Sequence, residues 1–434
     1  MTDSKPVYLD YNATTPLAPE VVEAVTSALA AWGNPSSGYR TGREARARVE
    51  AARAQVAEMV GAEPEEITFT SGGTEANHLA IWAALELYRG SDPAAVSTRC
   101  PSPETRAAPA CHPATSSRGL PHIVTSNIEH PAVTAPLAQL EARGWAAVTR
   151  VPVVRGSGRW SVASMLEAVT PDTCLVTVML ANNETGILQP VKELFSALRA
   201  SAPPTRSPIL LHTDAAQAIG KIPVSGPELG ADLVTIVGHK FYGPRIGALY
   251  HRKGVAVSPM FYGGGQEAGL RPGTENTPMI AGLGAACGLV TRNLDTYSRH
   301  MRRVRDFLVD QLIRNFSLVT ADEANTRLGL GEVCWRYLDP LCLPNTLSLR
   351  IGGFTGPELL ARVGHALEAS CGAACHTGAG VSSVLVNSFS WGEAGAAETV
   401  RLSVGRETST GDVVTVVRAI LEAVEERKKG HGQS

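Results

Sequence analysis

The sequence predicts an α/β protein in which a mostly parallel sheet has helices on both faces. Short apolar runs of β-type residues alternate along the chain with segments whose apolar residues recur at three- and four-residue steps. Such alternation is typical of parallel strands joined by helices. Several of the β-type runs end in polar residues, and open α/β sheets bind ligands at the carboxyl ends of their strands. We therefore expect a ligand site at that edge of the sheet.

The individual elements follow from periodicity and from the residues that begin and end them. Pro19 stands at a position that favours the start of a helix, Gly33 follows its end, and Gly61 ends the next helix. The predicted order is helix 19–32, helix 43–60, strand 67–69, strand 123–126, a helix after 131, strand 147–152, helix 162–168, strand 175–180, helix 191–200, strand 209–212 and strand 233–237.

The sequence changes character beyond about residue 291. A charged helix at 295–315 is followed by a strand at 345–351, a helix from 356, a strand at 400–404 and a helix at 412–428. A chain of 434 residues exceeds a single core. We expect a large domain at 18–290 and a small α+β domain formed by 1–17 and 291–434. Residues 91–121 are rich in Pro, Ala, Ser and Thr and have no period, which predicts a surface insert without fixed structure.

Composition excludes several classes of protein. The net charge is -2 and 44% of residues are hydrophobic, which argues against a nucleic-acid binder. The longest apolar run, 174–181, is far shorter than the ~20 residues of a membrane span. The first residues lack the apolar stretch of a secretory signal, and eight irregularly spaced cysteines suggest reduced thiols, so we expect a cytosolic protein. Cys100, Cys111 and His112 in the insert are too few for a metal site.

The most informative stretch is 211–247. One strand leads to Asp214 and Gln217, and the next leads to His239 and Lys240. A lysine that can react with an aldehyde and an acid that can pair with a ring nitrogen suit pyridoxal 5'-phosphate. Taken alone, these residues fit a strand-end cap and a solvated lysine equally well. The sequence S-G-G-T-E at 71–75, between a strand and a helix, fits either an anion site or a plain turn.

Seven motifs occur in order between residues 7 and 405: D-Y-N-A-T-T-P, S-G-G-T-E, A-N-N-E-T-G, H-T-D-A-A-Q, G-H-K-F-Y-G-P, R-P-G-T-E-N and G-A-A-C-H. With these motifs the chain resembles the class V aminotransferase family of fold-type I pyridoxal phosphate enzymes, in its cysteine desulfurase branch. The resemblance implies a seven-stranded, mostly parallel sheet in the large domain. It also implies pyridoxal 5'-phosphate as the cofactor.

The same resemblance implies roles for individual residues around the cofactor. Lys240 carries it and acts as the base, Asp214 pairs with the ring nitrogen, and His130 lies against the ring and relays protons. Gln217 bonds the phenolic oxygen, and Asn182 bonds the same side of the ring and the substrate carboxylate. The phosphate is bound by Gly73, Thr74, His239 and Thr274, the last of these reaching over from a second subunit, which implies a homodimer. Val237 departs from the serine that is usual at its position.

The resemblance further implies a reaction on a chalcogen amino acid. Arg406 binds the substrate carboxylate with help from Asn34, while Arg401 is structural. Cys375 removes selenium from L-selenocysteine and L-alanine leaves, with His376 or His130 activating the thiol. A selenium acceptor, such as a selenophosphate-forming enzyme, would take the product. A cysteine desulfurase acting on L-cysteine is the nearest alternative, and a catalytically silent chalcogen-delivery scaffold and an aminotransferase are the others.

Overall fold

The computed structural model describes residues 5–90, 119–320, 328–335, 341–371, 381–389 and 391–431. Its helices are α1 (Pro19–Leu29), α2 (Arg40–Val60), α3 (Gly73–Gly90), α4 (Pro131–Ala142), α5 (Val162–Glu167), α6 (Val191–Ser201), α7 (Gly226–Leu229), α8 (Thr277–Asn315), α9 (Gly356–Val363), α10 (Ser383–Ser388), α11 (Gly392–Ala397) and α12 (Thr410–His431). Within these ranges no helix is long and apolar enough to cross a membrane.

The strands form one large sheet, one smaller sheet and a short pair. They are β1 (Val7–Tyr8), β2 (Ile67–Thr70), β3 (His122–Ser126), β4 (Ala147–Val151), β5 (Thr173–Met179), β6 (Leu210–Asp214), β7 (Leu233–Val237), β8 (Gly247–His251), β9 (Ser317–Leu318), β10 (Glu332–Trp335), β11 (Thr346–Ile351), β12 (Leu367–Glu368) and β13 (Thr399–Ser403). The large sheet has the order β2-β8-β7-β6-β5-β3-β4.

The prediction of a mostly parallel seven-stranded sheet is confirmed. The neighbours from β7 to β4 pair in parallel, and only β8 runs antiparallel to both β2 and β7. Successive residues of the central strands enter different apolar clusters: Leu175 packs with α3 and α4, whereas Val176 packs with α1, α2 and α6. Side chains of a strand alternate between its faces, so the sheet is covered by helices on both sides.

The smaller sheet has the order β13-β11-β10-β9, and β1 pairs with β12 beside it. Its apolar residues form a separate cluster that includes Leu9 near the N-terminus and Val413 in α12. Helix α8 runs through both regions, with Ile280 in the core of the large sheet and Leu308 in that of the small one. The domain limit expected between 290 and 291 therefore falls inside a helix.

The prediction that a helix starts at 295 was wrong, since α8 begins at Thr277. Its first part is rich in glycine and alanine and lacks a clear amphipathic period. The glycines permit close packing: a Cβ on Gly284 would lie 2.6 Å from Cα of Ala52, and one on Gly282 would lie 2.5 Å from Val25. This part of α8 is thus a helix because of its contacts with α1 and α2, which local periodicity does not reveal.

Candidate functional site

A cavity of about 270 Å³ lies at the carboxyl ends of the parallel strands. Because β5, β6 and β7 are parallel neighbours, the residues that follow them meet at one edge of the sheet. Seven residues expected from the sequence line this cavity: Gly73, Thr74, His130, Asp214, Gln217, His239 and Lys240. Asn12, Asn77, Asn183 and Arg401 line it as well, and sequence reasoning gave none of these a role in the site.

Lys240 lies in a short 3-10 turn, Gly238–Lys240, directly after β7. Its Nζ donates hydrogen bonds to the carbonyl oxygens of Asn12 at 2.9 Å and Ala13 at 2.8 Å. The amine is thereby held at the cavity by the N-terminal segment. Beside it, burial and the charge of Lys240 lower the pKa of His239 to about 4, so this imidazole is neutral at neutral pH.

Asp214 is the last residue of β6 and is buried. Oδ2 accepts a hydrogen bond from Nδ2 of Asn77 at 2.8 Å, and Oδ1 accepts one from the backbone N–H of Ala216 at 3.0 Å. Both partners are donors, which a carboxylate accepts without a proton of its own. The acid is therefore fixed in place beside the cavity.

Gly73 and Thr74 lie in the first turn of α3 and also line the cavity. A Cβ on Gly73 would lie 2.5 Å from Cγ2 of Val237, so any residue larger than glycine at position 73 would clash with the valine. The first N–H groups of a helix have no partner within it and favour anions. The valine that replaces the usual serine is thus part of the wall rather than a polar contact.

Gln217 is held by two partners beside the cavity. Nε2 donates to the carbonyl oxygen of Asn12 at 2.9 Å, and Oε1 accepts from Nζ of Lys221 at 3.3 Å. Lys221 is buried, and burial together with the nearby charge of Lys240 lowers the pKa of its amine to about 7.

His130 is both the N-cap of α4 and a wall of the cavity. Its Nδ1 accepts a hydrogen bond from the backbone N–H of Ala132 at 3.0 Å. In a neutral ring, Nε2 therefore carries the proton. The same side chain thus caps the helix and faces the cavity.

The structure corrects the expectation for Asn182. This side chain is fully buried and does not line the cavity. Oδ1 accepts from the backbone N–H groups of Glu184 and Thr185, both at 2.9 Å, and Nδ2 donates to the carbonyl of Ile128 at 3.2 Å. Asn182 therefore shapes the turn after β5, and its neighbour Asn183 lines the cavity instead. The doubled asparagine was the available signal, but it does not say which amide faces inward.

The structure places the two arginines differently from the positions that their expected roles required. Arg401 lines the cavity, donating from Nη1 to the carbonyl of Asn183 at 2.8 Å and from Nη2 to Oδ1 of Asp10 at 2.5 Å. Its Nε is buried and has no hydrogen-bond partner among the described residues. Arg406 does not line the cavity, and its guanidinium lies between the rings of Tyr242 and Tyr297, 4.2 and 3.7 Å from their centroids.

The remaining expected residues are not brought to this cavity. Asn34 is exposed and its Oδ1 accepts from the backbone N–H of Ser36, while Thr274 is exposed in the loop before α8. Cys375 and His376, like the insert up to residue 118, lie outside the described residues. Cys371 packs against the small-sheet core, and burial raises the pKa of its thiol to about 11. Over the described ranges, no cluster of His, Cys, Asp and Glu could hold a metal ion.

A lysine, a carboxylate and a helix N-terminus around one cavity, at the carboxyl edge of a parallel sheet, define a cofactor site of the pyridoxal phosphate type. The family model described as aminotransferase class-V matches residues 7–99 and 96–416. The chain belongs to this family, whose members depend on pyridoxal 5'-phosphate.

Curated relatives cover nearly all of the chain. It is 49% identical to selenocysteine lyase of Xenopus tropicalis, over 96% of this chain and 93% of the relative, and 44% identical to that of Homo sapiens, over 96% and 92%. It is 34% identical to the cysteine desulfurase IscS of Methanosarcina thermophila, over 98% and 93%. A solved NifS-like protein is 31% identical, with a TM-score of 0.78 over 97% of this chain and 99% of that one.

Proposed function

We propose that this chain is a pyridoxal 5'-phosphate-dependent selenocysteine lyase, which converts L-selenocysteine to L-alanine and releases selenium. The observation that carries the proposal is the 49% identity to a selenocysteine lyase over almost the full length of both chains, against 34% for a cysteine desulfurase of similar coverage. The cavity at the sheet edge is consistent with the cofactor chemistry that this activity requires.

The residues of the cavity suit the cofactor. Lys240 has an amine that can carry it, and Asp214 is a buried acid for its ring nitrogen. The first turn of α3 and the neutral ring of His239 offer N–H groups to its phosphate. When bound, pyridoxal 5'-phosphate supplies an electron sink for charge that develops at the substrate α-carbon. Because Gly73 has no side chain, the first turn of α3 can pack directly against Val237.

The protein groups would then position the substrate and move protons. Nζ of Lys240 takes the proton from the substrate α-carbon, and the Asn12 and Ala13 carbonyls, which bind this amine, keep it near the cavity. We assign the substrate carboxylate to Arg401 instead of Arg406, because Arg401 lines the cavity and a guanidinium binds a carboxylate through paired hydrogen bonds.

Cys375 remains the proposed acceptor of selenium. An unperturbed cysteine thiol has a pKa of ~8.5, so a neighbouring group that favours the thiolate would help this step. Both His376, the next residue, and His130, which lines the cavity, are candidates for that role.

A cysteine desulfurase is the second candidate, because relatives of that name also match across the whole chain. The test offers purified, cofactor-loaded protein L-selenocysteine and L-cysteine separately, and measures alanine with selenide or sulfide. We expect a strong preference for L-selenocysteine. Comparable turnover of both amino acids would support the desulfurase. If neither amino acid gave alanine, a silent scaffold or an aminotransferase would be supported.

We further propose a cytosolic homodimer in which Thr274 of each chain contacts the cofactor phosphate bound by the other. Thr274 is exposed in the single chain and lies away from its own cavity, which is compatible with such an exchange. Sedimentation analysis of the wild type tests the homodimer, and the cofactor affinity of Thr274→Ala tests the contact with the phosphate. The selenium product would pass to an acceptor such as a selenophosphate-forming enzyme.

A further inference from the structure

A row of four buried polar side chains leads from Asp214 into the sheet. It consists of Asn77 on α3, Thr235 on β7, His212 on β6 and Thr177 on β5, each at most 1% exposed. The contacts are 2.8 Å from Asp214 to Asn77, 2.7 Å from Asn77 to Thr235, 3.0 Å from Thr235 to His212 and 2.8 Å from His212 to Thr177. Each polar group in the row therefore has a partner at hydrogen-bond distance, although the row crosses three strands and a helix.

The acceptor at the Asp214 end determines the direction of every bond. A carboxylate oxygen only accepts, so Nδ2 of Asn77 donates to Asp214 and Oδ1 of Asn77 faces Thr235. That oxygen also only accepts, so the Thr235 hydroxyl donates its single hydrogen to it. The Thr235 oxygen can then only accept from His212, which requires a hydrogen on Nε2.

The rest of the row follows from the histidine. Burial lowers the pKa of His212 to about 4, so the ring is neutral and carries one hydrogen. With that hydrogen on Nε2, Nδ1 accepts from the Thr177 hydroxyl. In the opposite tautomer, the lone pair on Nε2 of His212 would face the oxygen of Thr235, which is unfavourable at a buried position.

We propose that Asn77, Thr235, His212 and Thr177 form a positioning relay in which every hydrogen bond donates toward Asp214, with His212 held as the Nε2–H tautomer. Successive bonds of one direction polarise each other, which strengthens the last one, from Asn77 to the carboxylate. The relay keeps the Asp214 carboxylate oriented toward the cavity. This inference rests on the proposed function, in which Asp214 meets the ring nitrogen of the cofactor.

Thr235 provides the sharpest test, because two small substitutions separate its hydroxyl from its shape. Thr235→Val removes the hydroxyl and Thr235→Ser keeps it. The matched control is Thr213→Val: Thr213 is also fully buried, on β6 next to Asp214, but its hydroxyl has no hydrogen-bond partner among the described residues. Melting temperatures of the three variants show whether each one folds.

Thr235→Val removes both hydrogen bonds of this hydroxyl, the one to Asn77 and the one from His212. Because only the weakened bond from Asn77 reaches Asp214, we expect kcat for L-selenocysteine to fall about 3- to 10-fold, the size of one hydrogen bond. The KM should change little, because the relay does not touch the substrate. Thr235→Ser should restore most of kcat, and Thr213→Val should resemble the wild type. Equal kcat in Thr235→Val and Thr213→Val would overturn the relay.

A second measurement does not depend on activity. Nitrogen-15 NMR of the wild-type protein, with the His212 signals assigned by their loss in His212→Gln, reports which ring nitrogen carries the hydrogen. We expect a protonated Nε2 and an unprotonated Nδ1 at neutral pH. A hydrogen on Nδ1, or a doubly protonated ring, would overturn the relay. If the wild type is inactive on both amino acids, the proposed function fails and this NMR result still decides the relay.

Discussion

The assignment of the substrate carboxylate can be tested with a matched pair of variants, Arg401→Lys and Arg406→Lys. Both arginines lie near the carboxyl end of β13, but only Arg401 lines the cavity. A guanidinium has five N–H donors, and two nitrogens of Arg401 make one hydrogen bond each to Asn183 and Asp10. The remaining three donors, including Nε, which has no hydrogen-bond partner in the described part of the chain, can bind a carboxylate.

The size of the effect follows from the loss of the planar fork. Lysine keeps the positive charge but cannot make two parallel bonds to one carboxylate. Losing one hydrogen bond to a charged group costs about 1.5–3 kcal/mol, which corresponds to a rise in KM of ~10- to 150-fold. We expect kcat to change much less, because carboxylate binding is shared by the ground state and the transition state.

The assay is steady-state formation of alanine from L-selenocysteine, with the cofactor absorption and the melting temperature of each variant as controls for loading and folding. Arg406→Lys should leave KM close to that of the wild type. A large rise in KM in Arg406→Lys, together with a normal KM in Arg401→Lys, would refute this reasoning and restore the role that the sequence suggested for Arg406.

Three further predictions concern the lysine, a buried acid and the thiol. Borohydride treatment of cofactor-loaded protein should attach the cofactor to Lys240, as peptide mapping would show, and finding it on another lysine would contradict the assignment. Burial raises the pKa of Glu129 to about 8. Its contribution to the free energy of unfolding is therefore complete below the pKa of this residue in the unfolded chain, and it is lost as the pH rises through 8. In denaturation experiments, Glu129→Gln should therefore be more stable than the wild type near pH 9 and should differ least from it near pH 5. The control Glu65→Gln, at an exposed position, should show no such dependence on pH. Parallel pH profiles of stability for Glu129→Gln and the wild type would speak against a buried neutral acid. Cys375→Ser should keep the cofactor absorption and lose specific turnover of L-selenocysteine, with some non-specific selenium release persisting, and full specific activity would remove the thiol from the mechanism.

The parts of the fold with strong local signals could be predicted from the sequence. Strands β3, β5, β6 and β7 are compact apolar runs, and their alternation with amphipathic helices indicated the parallel sheet that the structure shows. Strand β8 was not predicted, because the interpretation ended at Gly247, where this strand begins. The first half of α8 was also missed, since its glycines are explained only by the helices packed against them.

The sequence by itself determined the residues that stand directly after a strand or at a helix start, such as Asp214, Lys240 and Gly73. Parallel strands bring their ends to one edge, so position along the chain was enough to gather these groups around one cavity. The choice within the pairs Asn182 and Asn183, and Arg401 and Arg406, was decided only by the tertiary structure. Asn182 and Asn183 are neighbours that face in different directions, whereas Arg401 lies within β13 and Arg406 follows its end. Which side chain faces the cavity therefore depends on the turns and on contacts with distant segments.

The row behind Asp214 also belongs to the tertiary structure alone. Asn77 and Thr235 are 158 positions apart, and Thr177 and His212 are 35 apart. Each of them, taken singly, is an ordinary polar residue in a strand or helix. They form a directed hydrogen-bond row only because the strand order β7-β6-β5 and the packing of α3 place their side chains within 3.0 Å of one another, where burial requires every donor to find an acceptor.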